Sequence, residues 1–351
     1  MAAGLQTHIW NNNLKSMILI GLYPLIMIGL VWAGSFVVAY MGMGGANADP
    51  VLAKNVSGNI IGTYWPLILT GIAIWFIVAY FFHAQMIRKM AHANPVTRTE
   101  EPALYNMLEN LCIAAGMPMP TLNIIESHSR NAFASGIDTK SFAVTVTRGL
   151  MNSLSPDELE GVLAHELAHI LNRDVRLLMV TVIFTGMVGF AMQMVWSNLR
   201  HGFIYSGRQR KRGGGVVIML AIAAILFIGY MATLCMRFAL SRRREYMADA
   251  GAVQLTKNPA AMMRALMRIS GKDQISGVPA DIAMMCIENH VPFMGLFTTH
   301  PPIDRRIKAL SSMTGTAVPD LPSLPPVSPA ERFSKGQKKN PWLTRDRRGL
   351  K

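Results

Sequence analysis

Residues 155–171 read SPDELEGVLAHELAHIL, and this stretch predicts one well-defined helix. Ser155 and Glu158 form a capping box, in which each side chain can bond the backbone amide of the other residue. Pro156 suits the first helical position, where no backbone N–H is needed. Apolar residues then recur at helical spacing, at Leu159, Val162, Leu163, Leu167 and Ile170. We therefore expect a helix that begins after Ser155 and buries one face in a folded domain.

Two histidines on this helix have the spacing of metal ligands. His165 and His169 are four residues apart, so both imidazoles lie on one helical face and can reach one tetrahedral ion. Glu166 lies at the flank of the pair, where its carboxylate could take a proton from an attacking water. This HExxH pattern predicts a hydrolytic zinc site.

A catalytic zinc ion also needs a third protein ligand and an open fourth position. The sequence offers the candidates Glu245, Asp249, Asp174, His290 and His300. Glu245 and Asp249 stand out because they are again four residues apart on a predicted helix. One carboxylate could bind the metal while the other accepts a hydrogen bond from a ligand imidazole. Alternatively, the two acids only balance the charge of Arg242–Arg244.

Four runs of at least twenty residues contain no Asp, Glu, Lys or Arg. They span roughly residues 16–40, 60–82, 177–199 and 216–236. Twenty helical residues cover the hydrocarbon core of a bilayer, which is about 30 Å thick. A charged fraction of 15% and a hydrophobic fraction of 51% also argue against an ordinary soluble enzyme. The first run is too long for the core of a signal peptide, so we expect a retained anchor.

Basic residues in the loops predict the orientation in the membrane. Lys54 is the only basic residue between the first two runs, whereas Arg88 and Lys89 follow the second. The positive-inside rule places residues 83–176 on the cytoplasmic side of a cytoplasmic (inner) membrane. The loop at 200–212 is also strongly basic, so either it violates this rule or the second hairpin is partly embedded in protein and does not fully cross.

The rest of the chain reads as a folded domain in two pieces. Residues 93–176 and 237–312 have ordinary globular composition and would form the two halves of one catalytic domain. The predicted helices are 102–115, 155–170, 241–254 and 259–269, the predicted strands are 121–126 and 142–147, and an extended piece lies at 131–134. The predicted fold class is α+β, mainly α.

The remaining segments complete the predicted domain organisation. Residues 1–92 form an N-terminal transmembrane hairpin, and residues 177–236 form an apolar hairpin that divides the catalytic domain. Residues 313–351 form a tail that is rich in Pro and basic residues, and its apolar content is too low for independent folding.

The formal net charge of +14 comes from 34 Lys and Arg against 20 Asp and Glu. Much of it lies beside the apolar runs and in the tail, so the expected partner is the lipid bilayer and not nucleic acid. The three cysteines, Cys112, Cys235 and Cys286, show no disulfide or CxxC spacing and are expected as buried thiols in a reduced compartment.

Several motifs together resemble the HtpX-type membrane-bound zinc metallopeptidases, which are related to the CAAX prenyl endopeptidases. The motifs are NAFASG at 131–136, AHELAHI at 164–170, SRRREYMADA at 241–250 and THPP at 299–302, followed by Arg306. The order of two anchors, HExxH, an apolar hairpin and EYxAD also matches. The resemblance covers about residues 15–312 and implies a multi-pass membrane protein with a gluzincin-like metallopeptidase domain.

The resemblance also implies a role for each site residue. His165, His169 and Glu245 would bind one Zn²⁺ per chain, and Glu166 would be the general base. Asp249 would accept a hydrogen bond from a ligand histidine. His300 would donate to the oxyanion of the transition state, or else be a structural histidine at a Pro-rich turn.

Two further assignments concern residues beyond the metal site. Asn131, Ala132, Phe133 and Ala134 resemble the edge strand of the family, which could pair with the backbone of an extended substrate. Arg306 is expected in a structural ion pair. Asp174 could cap the helix that carries the two histidines.

The expected activity is zinc-dependent hydrolysis of peptide bonds at the cytoplasmic face. By family analogy, the substrates would be membrane or misfolded proteins, in membrane protein quality control. The alternatives are a processing peptidase for lipidated C-termini and a catalytically inactive membrane scaffold.

Overall fold

A computed structural model of the protein describes residues 5–44, 47–205, 214–238, 243–270 and 301–321. The helices are α1 (Leu5–Gly42), α2 (Pro50–Met90), α3 (Pro102–Ala115), α4 (Arg148–Ser153), α5 (Pro156–Leu171), α6 (Asp174–Tyr205), α7 (Gly214–Phe238), α8 (Arg243–Thr256), α9 (Pro259–Ile269) and α10 (Ile303–Thr314). The strands are β1 (Ala93–Pro95), β2 (Thr121–Ile125), β3 (Ala132–Ser135) and β4 (Ala143–Thr147). This mainly helical architecture with one small sheet confirms the predicted fold class.

The chain divides into two compact units. The first unit takes its residues from Met1–His83 and Arg176–Ser241. The second takes its residues from Ala84–Val175 and Arg242–Lys351.

Four helices are long and apolar enough to cross a membrane, at Gly21–Gly42, Pro50–Met90, Asp174–Arg200 and Gly215–Thr233. They coincide with the four predicted apolar runs. Helices α1, α2 and α6 continue well beyond those runs, because a helix keeps its own backbone hydrogen bonds where polar side chains replace apolar ones. The charge-free run therefore indicates which part of each helix suits a lipid environment, but it does not indicate where the helix begins and ends.

The first unit is held together by aromatic and aliphatic packing. Tyr23 of α1 stacks on Phe184 of α6, with ring centroids 4.3 Å apart and an interplanar angle of 4°. Ile72 of α2 joins the same buried cluster. In the apolar 18-residue stretch of α6, 56% of the residues are buried within the protein. In the corresponding stretch of α7, 6% of the residues are buried. The two helices of the second hairpin therefore differ sharply in exposure, while residues 206–213 between them lie outside the described residues.

The second unit contains a four-stranded sheet with the order β1-β2-β4-β3. Strands β2 and β4 are parallel, with Thr121 opposite Ala143, whereas β1 and β3 pair antiparallel to their neighbours. Strand β3 is therefore an edge strand, and it lies beside α5. The observed strands differ from the predicted ones by one residue at their ends, and the short elements β1 and α4 were not predicted.

The start of α5 confirms the predicted capping box. The Ser155 Oγ accepts a hydrogen bond from the Glu158 amide at 3.4 Å, and the Ser155 amide donates to the Glu158 carboxylate at 2.9 Å. The same buried carboxylate accepts a hydrogen bond from Arg268 of α9 at 2.8 Å. This ion pair joins α9 to the helix that carries the two histidines.

Helices α5 and α8 pack closely at Gly251. A Cβ added to Gly251 would lie 2.9 Å from the Cβ of Ala168 on α5, closer than methyl groups normally approach. The absence of a side chain at this position lets α8 lie against α5. The acidic residues of α8 thereby reach the histidine-bearing helix.

Candidate metal centre

Helix α5 places three site residues in the interior of the second unit. His165 and Glu166 are almost fully buried, with 1% and 3% of their surfaces exposed, and His169 is partly exposed. Burial of a carboxylate and two imidazoles is unfavourable unless each has a polar partner. The neighbouring elements supply such partners to the two imidazoles.

The two imidazoles of α5 face a carboxylate of α8. The Nε2 atoms of His165 and His169 are 3.2 Å apart. The Glu245 carboxylate places Oε2 3.7 Å from Nε2 of His165 and Oε1 3.7 Å from Nε2 of His169. These three residues form a group whose ligand atoms all lie within 4.8 Å of one another.

The dimensions of this triangle fit a tetrahedral zinc site. Zinc–nitrogen bonds of about 2.0–2.1 Å at tetrahedral angles place two ligand atoms about 3.3 Å apart. The observed separations of 3.2 and 3.7 Å are close to this value. Two imidazoles and one carboxylate are also a donor set that zinc commonly takes in hydrolytic sites. The residues present therefore fit the ion that the motif implies.

Each histidine also contacts a carboxylate through Nδ1, the ring nitrogen that faces away from the shared centre. The Nδ1 atom of His165 lies 3.0 Å from Oδ1 of Asp249, and that of His169 lies 3.1 Å from Oδ2 of Asp174. Such a contact places the proton on Nδ1 and leaves the lone pair of Nε2 directed at the shared centre. Asp249 and Asp174 therefore orient the two imidazoles.

Asp249 also pairs with a fully buried arginine. Arg306 of α10 donates from Nε to Oδ2 of Asp249 at 2.9 Å and from a terminal nitrogen to Oδ1 at 2.6 Å. Burial alone would raise the pKa of Asp249, but the charge and hydrogen bonds of Arg306 outweigh it and lower the pKa to about 2. The predicted ion pair of Arg306 is thus present, and its partner is the carboxylate that orients His165.

The pKa of His165 reflects the same group of charges. Burial lowers this pKa, but hydrogen bonds to Asp249 and Glu245 act more strongly and raise it to about 9. Arg306 opposes the rise, since its guanidinium repels a charged imidazole. A site that stabilises a positive charge on His165 also suits a cation placed between His165 and Glu245.

The structure brings together most of the residues that the sequence singled out. His165, His169, Glu245 and Asp249 converge as described above, and Glu166 is buried on the helix that carries the two histidines. His300 and the candidate ligand His290 lie outside the described residues. The segment Asn131, Ala132, Phe133 and Ala134 supplies most of β3, beside α5.

Asp174 makes a contact that the sequence did not predict. The sequence offers Asp174 as a helix cap or as a candidate ligand, and in the structure its carboxylate contacts Nδ1 of His169, on the side away from Glu245. The turn after α5 returns the chain through Arg173, which has a positive φ of 61°. Asp174 is five positions after His169, and this spacing alone does not show that the chain reverses there.

Residues 98–314 match the profile of "Peptidase family M48". Over 319 residues the chain is 38% identical to the "Protease HtpX homolog" of Bacteroides fragilis, covering 88% of this chain and 98% of that protein. It is 38% identical over 265 residues to the protein of the same name from Dictyoglomus thermophilum, covering 72% and 85%. For the Listeria monocytogenes protein the identity is 36% over 255 residues, covering 69% and 84%.

A solved structure, Ste24p of S. mikatae, aligns with a TM-score of 0.41 at 19% sequence identity. The alignment covers 74% of this chain and 64% of that one, so the chain spans less than two thirds of that structure. The family match and the sequence relatives confirm the predicted resemblance and the predicted enzyme class, a metalloprotease. The chain belongs to peptidase family M48.

Proposed function

We propose that the protein is a zinc-dependent endopeptidase of the cytoplasmic membrane, with one Zn²⁺ held by His165, His169 and Glu245. The observation that carries this proposal is the convergence of the ligand atoms of these three side chains within 4.8 Å, with the buried Glu166 on the helix that carries the two histidines. The outer contacts of His165 with Asp249 and of His169 with Asp174 support it, because they direct both Nε2 atoms at one point.

Glu166 is proposed as the general base. It follows His165 directly on α5, so its carboxylate lies at the flank of the ligand group. When bound, zinc would polarise the scissile carbonyl and lower the pKa of the attacking water toward about 7. Glu166 would accept the proton of this water and return it to the leaving amine.

His300 is proposed as a donor to the oxyanion that develops on the scissile carbonyl. The proposal rests on the family resemblance of the THPP motif. A neutral or charged imidazole can supply the required N–H.

The edge strand β3 is proposed as the docking site for substrate backbone. The amide of Thr147 donates a hydrogen bond to the Asn131 carbonyl. The main-chain N–H and C=O groups of successive residues in β3 point alternately toward β4 and away from it, and this bond shows which residues point toward it. By this alternation the main-chain groups of Ala132 and Ala134 point away from β4, on the edge side of the sheet, where both residues are buried within the protein. An extended peptide could pair there with little demand on its side chains, which suits substrates of varied sequence.

The proposed substrates are membrane proteins or misfolded proteins with exposed cytoplasmic segments, as in membrane protein quality control. The four apolar helices support a multi-pass membrane protein. Arg88 and Lys89, at the end of α2, support a cytoplasmic position for the residues that follow. Residues 93–176 and 237–312 would act there as one catalytic domain.

Purified protein tests this function directly. We expect about one zinc ion per chain by elemental analysis, together with cleavage of casein. The Glu166→Gln variant should keep its zinc and lose cleavage, since the amide cannot accept the proton. Wild-type protein without stoichiometric zinc, or a Glu166→Gln variant that cleaves casein at the wild-type rate, would overturn the proposal.

Two other functions make different predictions in the same assay. A processing peptidase for lipidated C-termini would cleave prenylated peptides and leave casein intact. A catalytically inactive scaffold would show no zinc-dependent cleavage of either substrate.

The orientation is tested by cysteine labelling in intact cells. A cysteine placed at Lys140, in the exposed turn before β4, should react with a permeant maleimide only. Labelling by an impermeant maleimide from outside would contradict a cytoplasmic catalytic domain.

A further inference from the structure

A small cavity with a mixed polar and apolar lining lies on the sheet of the second unit, at the C-terminal end of α2. Its volume is about 180 Å³, and its lining includes Arg88, Thr121, Asn123, Ser135, Lys140 and Thr145. This volume leaves room for several water molecules. It is below the size of sites for drug-like ligands, which begin at about 300 Å³, and suits a small polar group.

The charge of this cavity is positive. Arg88 is half-buried and Lys140 is exposed, and neither forms an ion pair with any residue that the structure describes. The nearby Asp138 does not line the cavity, and its Oδ1 accepts the backbone amides of Lys140 and Ser141. Two cations and several hydroxyl groups at one cavity form a site for an oxyanion.

A buried amide adds a second and independent sign of a ligand. Asn123 is only 4% exposed, and its Nδ2 donates to the Thr145 hydroxyl at 3.4 Å. Asn123 lines the cavity, and its Oδ1 is buried without a hydrogen-bond partner among the described residues. A buried acceptor without a partner is unfavourable. A ligand that carries a hydroxyl donor beside an anionic group would satisfy both Asn123 and the two cations.

The position of Arg88 on α2 identifies the source of such a ligand. Arg88 follows Phe82, the last residue of the apolar run, by six positions, or about 9 Å of helix rise. The headgroup region of a bilayer extends about 5–8 Å beyond the hydrocarbon core. The guanidinium at the end of a flexible side chain is therefore within reach of lipid phosphates.

We propose that this cavity binds the headgroup of one anionic glycerophospholipid, of the phosphatidylglycerol type. Arg88 and Lys140 would bind the phosphodiester, and a glycerol hydroxyl would donate to Oδ1 of Asn123 once that amide turns toward the cavity. The bound lipid would also contact Ser135, the last residue of β3, and so fix the edge strand at the membrane surface. The proposal does not depend on the proposed peptidase activity.

Native mass spectrometry of the full chain in detergent tests this site. The protein is mixed with equal amounts of phosphatidylglycerol and phosphatidylcholine. We expect one retained phosphatidylglycerol per wild-type chain, and at least fivefold lower occupancy in Arg88→Gln and in Lys140→Gln, since each loses one of two cations. Lys89→Gln is the matched control, because Lys89 is exposed on the same helix and does not line the cavity.

The side chain of Lys140 is exposed in a turn, so the Lys140→Gln variant should fold normally. Asn123→Asp, which introduces a negative charge into the cavity, should also lose the lipid. Equal retention of phosphatidylglycerol in wild type and Lys140→Gln would overturn the proposal. Equal retention of the two lipids by the wild type, or displacement of the lipid by an equimolar amount of inorganic phosphate, would do the same.

Discussion

Gly251 of α8 lies so close to Ala168 of α5 that a Cβ on Gly251 would be 2.9 Å from the Cβ of Ala168. Carbon atoms attract one another best at about 3.5–4.0 Å, so this approach requires glycine. Ala168 precedes His169 on α5, and Glu245 lies on the same helix as Gly251. The closeness of the two backbones thereby sets the distance between Glu245 and the two histidines.

The Gly251→Ala substitution should weaken metal binding. The added methyl group has to move α8 away from α5, and such overpacking costs about 1–3 kcal/mol. We expect a lower thermal unfolding midpoint in detergent and at least tenfold weaker zinc retention against a chelator.

A glycine on α5 provides the control for this prediction. A Cβ on Gly161 would lie 3.5 Å from Met262, an ordinary contact distance. Gly161→Ala should therefore leave zinc retention unchanged, and the better helix propensity of Ala could raise stability by up to about 1 kcal/mol. Equal zinc retention in Gly251→Ala and Gly161→Ala would contradict the role assigned to the close approach.

Asp174→Asn should lower zinc affinity without abolishing the fold. The carboxylate contacts Nδ1 of His169 at 3.1 Å, and loss of such an orienting partner typically weakens metal binding about 10–100-fold. The measurement is competition with a fluorescent zinc chelator. Asp157→Asn, an exposed acid in the first turn of α5, should retain wild-type affinity. If both variants bind zinc like wild type, Asp174 does not orient the ligand.

The sequence predicted those parts of the site that depend on helical periodicity. His165, Glu166 and His169 follow from their spacing on one capped helix, and Glu245 and Asp249 follow from the same four-residue rule. The apolar runs likewise predicted the membrane helices, since lipid requires long stretches without charge. These features are local, so a single sequence is sufficient to find them.

The features that sequence analysis missed depend on contacts between distant segments. The role of Asp174 depends on the turn at Arg173, and the partner of Arg306 depends on how α10 packs against α8. The glycine that lets α8 approach α5 has no signature of its own in the sequence. The cavity between the end of α2 and the sheet can likewise be recognised only in the folded chain, because Arg88 and Lys140 are fifty-two residues apart in the sequence (140 − 88).

Arg306→Met should destabilise the second unit. The substitution leaves the buried Asp249 carboxylate without its bidentate partner, and breaking one side of a buried ion pair costs about 3–5 kcal/mol. We expect a clear drop in the thermal unfolding midpoint of the metal-free protein. The double variant Asp249→Leu/Arg306→Met should recover part of this stability, since it removes both charges. A double variant no more stable than Arg306→Met would contradict the pairing.

Cys112 should resist alkylation in the native protein at neutral pH. The thiol is 2% exposed, and burial, with a smaller effect of Glu109, raises its pKa to about 11. A raised pKa lowers the thiolate fraction, and the thiolate is the reactive form. Iodoacetamide labelling followed by peptide mass spectrometry should show slow modification at pH 8, faster modification as the pH approaches 11, and rapid modification after denaturation. Rapid labelling of the native protein at pH 8 would contradict the burial of this thiol.

Ala134→Pro should impair cleavage while preserving the metal site. By the hydrogen-bonding alternation along β3, the Ala134 amide points away from β4 and makes no ladder bond, so proline removes a donor that the sheet does not use. One main-chain hydrogen bond contributes about 0.5–1.5 kcal/mol, so kcat/KM for casein-derived peptides should fall about 3–10-fold. Ala134→Gly keeps the amide and should cleave near the wild-type rate. Zinc content and the unfolding midpoint, measured on both variants, separate a lost substrate contact from a damaged fold. If Ala134→Pro holds its zinc and cleaves as fast as Ala134→Gly, substrates do not pair with this edge of the sheet.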